Sequence, residues 1–191
     1  VDYIEVYAAL LRGINISGKN KISMPELKKG FEELGFKSVS TYINSGNVVF
    51  TSDNTEELGL KKICEDMIAR KFSLTIPVVV ISQKTLVEVI ANAPMWWDTD
   101  KAYVTYAIFM IPPMTVDEVI HAVGKIKSEY EQIDKHECMI YWRSPRAVFN
   151  KSRWSKIAGS SVNNDVTIRN ANTTLKLLDM MKELNKIDYE R

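Results

Sequence analysis

The stretch SVSTYINSGNVVFT, Ser38 to Thr51, reads as a hairpin: SVSTYI (Ser38 to Ile43) alternates as a strand, NSGN turns the chain, and VVFT (Val48 to Thr51) returns. Gly46 supplies the positive φ that a tight hairpin turn demands. Upstream, YIEVYAALL (Tyr3 to Leu11) is a short apolar run bounded by Gly13 and reads as a strand. A helix lies between the two. Ser23 with Glu26 makes a capping box, Pro25 sits in the first turn, Leu27, Phe31 and Leu34 form the apolar stripe, and Gly35 ends it. Downstream, Asn54 with Glu57 opens a second capped helix that turns Leu60, Ile63, Cys64, Met67 and Ile68 to the core. IPVVVIS (Ile76 to Ser82) closes the unit. The order is βαββαβ, the split unit of a ferredoxin-like sandwich, with right-handed crossovers.

The same order restarts further along. AYVTYAIFMI (Ala102 to Ile111) is a strand, and Thr115 with Glu118 caps a helix carrying Val119, Ile120, Val123 and Ile126. ECMIYWR and AVFN read as a hairpin around Ser144-Pro145. A short helix over Arg153 to Ala158, a brief strand VTI (Val166 to Ile168) and an amphipathic helix, Thr173 to Leu184, complete it. The expected fold class is α+β: two ferredoxin-like sandwiches in tandem. Their boundaries fall at 1–82 and 102–191, with a linking helix (Gln83 to Pro94) and a junction loop, MWWDTDK, across 83–101.

Bulk composition narrows the function classes. Hydrophobic residues make up 46% and charged residues 26%, an ordinary soluble balance. No apolar run reaches the roughly 18 residues that a bilayer span needs, and no charged-then-apolar leader opens the sequence, so no membrane partner and a cytoplasmic location are expected. Cys64 and Cys138 are the only cysteines and His121 and His136 the only histidines. Two isolated thiols give neither a disulfide framework nor a zinc site, and they are expected as buried thiols beside two surface histidines. No metal and no cofactor are expected. The net charge of +1 hides an asymmetry: between Lys135 and Lys176 eight basic residues face two acidic ones. Such a segment suits an anion or a phosphate backbone.

Topology then gathers the polar residues. In a βαββαβ unit the loop after the first strand and the turn between the second and third share one end of the sheet. RGINISGKNK (Arg12 to Lys21) and NSGN (Asn44 to Asn47) should be neighbours, with Arg12, Asn15, Lys19, Asn44, Ser45 and Asn47 in one cluster. In the second half, the turn with Arg143 and Arg146 is expected at the top of the sheet. NKSR (Asn150 to Arg153) and RNANT (Arg169 to Thr173) are expected at the bottom, beside two helix starts. Helix N-termini with Arg and Lys favour anions, although Ser152 and Asn172 also serve as N-caps.

Two nucleotide motifs fail inspection. Gly13, Gly18 and Lys19 fit the P-loop spacing, but Asn20 replaces the Mg²⁺-binding hydroxyl and the helix begins near Ser23. An RNA-recognition module needs aromatics on its central strands, and only Tyr7 and Phe50 are offered, without the Arg/Lys-Gly-aromatic start. Trp96, Trp97, Trp142 and Trp154 are expected to pack at the domain seam rather than stack on bases.

LLRGIN, YINSGNVVF, the segment Ser152-Arg153…Lys156 and TIRNANT together resemble the bacterial domain-of-unknown-function family 1697, from Tyr7 to about Met181. The resemblance implies two ferredoxin-like halves and no established activity. Its recurring positions fall on Arg12, Gly13, Asn15, Ser45, Gly46, Asn47, Ser152, Arg153, Lys156, Arg169, Asn170 and Asn172. Ala171 stands where typical members carry Trp. The leading expectation is a binding protein for an anionic ligand, a phosphate-bearing small molecule or a nucleic acid. Arg12, Arg153 and Arg169 would clamp its oxygens. The alternatives are an enzyme on a phosphate-bearing or acyl substrate, using Arg12, Lys19 or Arg153 for charge stabilisation, and polar clusters that serve the fold alone.

Overall fold

The computed structural model describes residues 4–97 and 100–189. Tyr3, placed above at the start of the first strand, and Asp98 and Thr99 of the junction loop lie outside the described residues. The chain is α+β and carries two four-stranded antiparallel sheets. It divides into two compact units, Val1–Val87 with Lys176–Arg191, and Glu88–Leu175.

The first sheet is ordered β2-β3-β1-β4, from β1 (Glu5–Leu11), β2 (Lys37–Tyr42), β3 (Asn47–Ser52) and β4 (Val78–Ser82). Helix α1 (Met24–Glu33) links β1 to β2, and α2 (Glu57–Phe72) links β3 to β4. Strand alternation sends Tyr7, Ala9, Leu11, Val48, Phe50, Val78 and Val80 to one face, where Leu27, Phe31, Leu60, Cys64, Met67 and Ile68 of the helices meet them. Phe50 lies at the centre, with the rings of Phe36 at 4.4 Å, Phe31 at 5.4 Å and Tyr7 at 5.8 Å.

Local signals explain most boundaries. Ser23 caps α1 by accepting from the Glu26 N–H, with Pro25 in the first turn. Gly35 follows the helix at φ +89°. For α2 the expected cap is corrected. The helix starts at Glu57 with Glu56 as its N-cap, while Asn54 Oδ1 accepts from the Glu56 N–H in an Asx turn ahead of it. Ile63 is corrected too: 37% of it is exposed, so the buried stripe is Leu60, Cys64, Met67 and Ile68.

One rim of this sheet is tied together by hydrogen bonds. Leu11 N–H donates to Gly46 O at 2.8 Å, which brings the loop after β1 against the β2–β3 turn as topology requires. Asn15 fixes that junction. Its Nδ2 donates to Ile22 O (3.0 Å) and Asn44 O (2.9 Å), and its Oδ1 accepts from Ile22 N–H (2.9 Å). Asn20 Nδ2 adds a bond to Gly13 O. Gly46 has φ +87°, and a Cβ there would come within 2.7 Å of Leu11 Cβ, so the turn needs glycine for both conformation and space.

The second sheet is ordered β6-β7-β5-β8, from β5 (Tyr103–Met110), β6 (Gln132–Lys135), β7 (Met139–Pro145) and β8 (Val166–Asn170). Helix α4 (Val116–Val123) starts on a full capping box of Thr115 and Glu118. Three short 3-10 helices, Arg146–Lys151, Trp154–Gly159 and Asn163–Asp165, occupy the connection from β7 to β8. Two helices, α3 (Gln83–Ala91) and α5 (Ala171–Tyr189), each cross a boundary between the units.

The hairpin expected at Ser144-Pro145 is corrected. β7 pairs instead with the upstream segment QIDK, in register Gln132↔Arg143 to Lys135↔Ile140, and AVFN is 3-10 helix. QIDK carries no strand signal in the sequence because an edge strand with mostly exposed residues needs no apolar alternation. Arg143 and Arg146 move with this correction. β7 runs antiparallel to β5 with Tyr103↔Pro145, so Arg146 lies at the same sheet end as Asn170, which closes β8.

The tryptophans pack within the second unit. Trp142 and Trp154 are buried, Trp97 Nε1 donates to Tyr106 O, and the Trp97 ring meets Tyr141 edge-on at 5.5 Å. His136 is largely buried rather than on the surface, with Nε2 3.7 Å from Glu88. Cys138 is only partly buried.

Two outcomes follow from these contacts. Asn15→Ala leaves the Ile22 N–H and two carbonyls without their partner, and chemical denaturation should show a loss of about 1–3 kcal/mol. Burial pushes the Cys64 thiol up to about 12, so in the native protein at pH 8 a thiol reagent should label Cys138 and spare Cys64; denaturant should release both.

Candidate functional site: a basic cleft in the second unit

The twelve residues singled out in the sequence fall into distinct places. In the first unit, Asn15 and Asn44 touch, and Asn47 is fully buried with Nδ2 donating to Tyr42 O and Ser45 Oγ, both at 3.0 Å. Arg12 is half-buried and its N–H donates to Pro77 O. Lys19 is exposed in the loop, its N–H bonded to Ile16 O. The carboxamides of Asn15 and Asn47 are thus engaged by the turns that carry them.

In the second unit, Ser152 is buried, donates to Phe149 O at 2.6 Å and accepts from the Ser155 N–H. Arg169 is buried as well. Its Nη1 donates to Thr167 Oγ1 (2.8 Å) and Ile168 O (3.0 Å), and burial pushes its guanidinium down to about 10. The expected cap of α5 shifts from Asn172 to Asn170, whose Oδ1 accepts from the Thr173 N–H at 2.7 Å.

Arg153 and Lys156 come together. With Lys127, Ala122, Val123, Gly159 and Ser160 they line a cleft of about 430 Å³ between the end of α4 and the second 3-10 helix. Among the described residues three cations line it and no carboxylate does. Arg153 lies along Gly124, where a Cβ would come within 3.3 Å of its Nη1. Lys127 Nζ donates to Lys151 O at 3.2 Å. Both Arg153 and Lys156 remain exposed, so their charges face solvent and any ligand in the cleft.

What holds these cations in place is Glu131, which sequence reasoning missed. Glu131 is 3% exposed, and four N–H groups surround its carboxylate. Oε1 accepts from Trp142 Nε1 (3.1 Å) and Trp154 N (3.0 Å), while Oε2 accepts from Lys127 N (3.0 Å) and Arg153 N (2.6 Å). An ionised carboxylate offers about four lone-pair sites, and all are used. The backbones of Lys127 and Arg153 are therefore pinned to one group, and their side chains emerge at one cleft. Trp154 is buried beside this junction, its Nε1 donating to Gly124 O at 3.1 Å. No short motif signals this, since the partners lie 4 to 23 residues away and three of the four are backbone groups.

Among the described residues no group of three or more His, Cys, Asp or Glu stands ready for a metal ion, and no helix is long and apolar enough to cross a membrane.

Comparison with known proteins agrees with this architecture. A conserved bacterial protein of Streptococcus pneumoniae, SP0830, matches in structure with a TM-score of 0.84 and 30% sequence identity, over 94% of this chain and 99% of that one. No curated protein matches the chain. The family model described as "Protein of unknown function (DUF1697)" matches residues 4–141. With a family match over most of its length and a bacterial structural relative that it covers almost end to end, the chain belongs to the DUF1697 family, whose function is unknown.

Proposed function

We propose that this protein binds an anionic ligand, a nucleotide or a nucleic-acid phosphate, through the cleft of Lys127, Arg153 and Lys156. One observation carries the reading: three cations converge on a cleft that, among the described residues, no carboxylate lines. Cations held at one concave site attract and orient phosphate oxygens, and Arg153 offers a planar fork for two of them. The surplus of basic residues from Lys135 to Lys176 supports it by drawing anions toward this part of the chain.

The remaining polar residues take other roles in this reading. Asn15, Asn44, Ser45 and Asn47 hold the rim of the first sheet, because their amides and hydroxyl are occupied by the turns themselves. Arg169 and Ser152 serve the interior of the second unit. The sheet orders β2-β3-β1-β4 and β6-β7-β5-β8 support each half as a ferredoxin-like sandwich, the second with 3-10 helices in place of its second α-helix. Two free thiols fit a reducing, cytoplasmic setting.

Fluorescence anisotropy with a labelled single-stranded RNA, and with a labelled adenine nucleotide, tests the proposal. Wild type should bind at about 50 mM salt and weaken as salt rises, and each cation removed should lower the salt slope by about 1. The double variant Arg153→Ala, Lys156→Ala keeps the Arg153 N–H on Glu131, so it should fold normally and bind at least ~10-fold more weakly. No binding by wild type to either probe, or equal binding by the double variant, overturns the proposal.

A further inference from the structure

A second cleft, of about 180 Å³, lies at the other connection of the same unit, where β8 hands over to α5. Its shape follows from the register. The last pair between β5 and β8 is Tyr106↔Asn170, so β5 runs on through Tyr103–Thr105 beyond the end of its neighbour. The cleft occupies that step. Lys101, Thr105, Arg146, Ala171 and Asn172 line it, with Asp100 as the one carboxylate among the described residues.

Three features point the same way. A helix leaves its first N–H groups without intrahelical partners, and at α5 the Asn170 side chain takes only the one from Thr173, while Ala171 and Asn172 line the cleft. Arg146 is held against the β5 edge, with Nε donating to Lys101 O and Nη2 to Tyr103 O, both at 3.2 Å, which leaves further donors of its five. The third feature is independent of the other two. Thr105 is 8% exposed, and its Oγ1 is buried with no hydrogen-bond partner among the described residues. A buried hydroxyl left unpaired costs about 1–3 kcal/mol, and native interiors keep few of them. A ligand that accepts from Thr105 Oγ1 removes that cost.

We propose that this cleft is a separate site for the oxyanion group of a small molecule, a phosphoryl or carboxylate group. It would be held by the first-turn N–H groups of α5, the Thr105 hydroxyl and the Arg146 guanidinium. Asp100 does not oppose the site outright, because its Oδ1 accepts from the Ala102 N–H at 2.9 Å and two cations offset its charge. The volume suits one such group rather than an extended polymer.

The test uses the full chain labelled with ¹⁵N and titrated with inorganic phosphate, with acetate in a parallel arm and sodium chloride at matched ionic strength as control. Saturable shifts of the Ala171 and Asn172 amides with phosphate or acetate, absent with chloride, are expected, and the arm that responds names the oxyanion class. Thr105→Val removes the hydroxyl at constant volume. It should weaken binding roughly 3- to 10-fold while leaving the melting temperature equal or higher, because an unpaired buried hydroxyl is gone. Arg146→Gln should weaken binding without unfolding the chain, since the residue is exposed. The double variant Arg153→Ala, Lys156→Ala should respond as wild type does, which separates this site from the basic cleft. Shifts that chloride reproduces, no shifts with either anion, or unchanged affinity in Thr105→Val would overturn it.

Discussion

A single buried carboxylate, Glu131, organises the irregular part of the second unit. The connection between β7 and β8 has no α-helix to align its backbone. It runs through 3-10 turns, whose short hydrogen-bonded stretches cannot by themselves fix a path across a sheet. Glu131 supplies the missing constraint. Two N–H groups at the start of the second 3-10 helix, one from the loop after α4 and the indole of Trp142 converge on its oxygens. Burying a charge is costly unless every lone pair is engaged, and here the cost is offset by four donors at once.

The same problem is solved differently in the first unit. There the long loop after β1 carries no charge at its centre. Asn15 does the work with a neutral carboxamide, bonding both strands of the loop and the facing turn. Left-handed residues at Gly13, Asn15, Ser17, Gly18 and Asn20 coil the loop tightly enough for that to happen. Asn is among the few side chains that accept this conformation at small cost. The contrast bears on function. A rim closed by its own amides leaves little for a ligand, whereas the Glu131 junction holds Lys127 and Arg153 by their backbone N–H groups and leaves their side chains to line the cleft.

The legible parts of the fold were those written in local patterns. Thr115, Gly35 and Gly46 act within four residues of their own positions as their patterns imply, while of the box expected at Ser23 and Glu26 the structure shows the Ser23 cap on the Glu26 N–H. The meeting of the Arg12 loop with the Asn44 turn followed from strand order alone. Failures had physical causes. Ser144-Pro145 resembles a turn, yet Ser144 Oγ donates to Tyr130 O and the chain stays extended there. QIDK lacks an apolar face because it lies at an edge. At Asn54 an Asx turn and an N-cap share one signature. Arg153 and Lys156 were singled out, but Lys127 and Glu131 were not, since their relation to the cleft depends on contacts that no spacing rule encodes.

The account rests on Glu131 as the group that places the cations of the cleft, and Glu131→Gln tests it most directly. The amide keeps the volume but sets a donor where two N–H groups need an acceptor. Hydrogen exchange on the variant should show faster exchange at Arg153, Trp154 and Lys127 and at the Trp142 indole, with at least about 2 kcal/mol lost on denaturation. Unchanged protection at those four N–H groups, with unchanged stability, would contradict the central role given to this carboxylate.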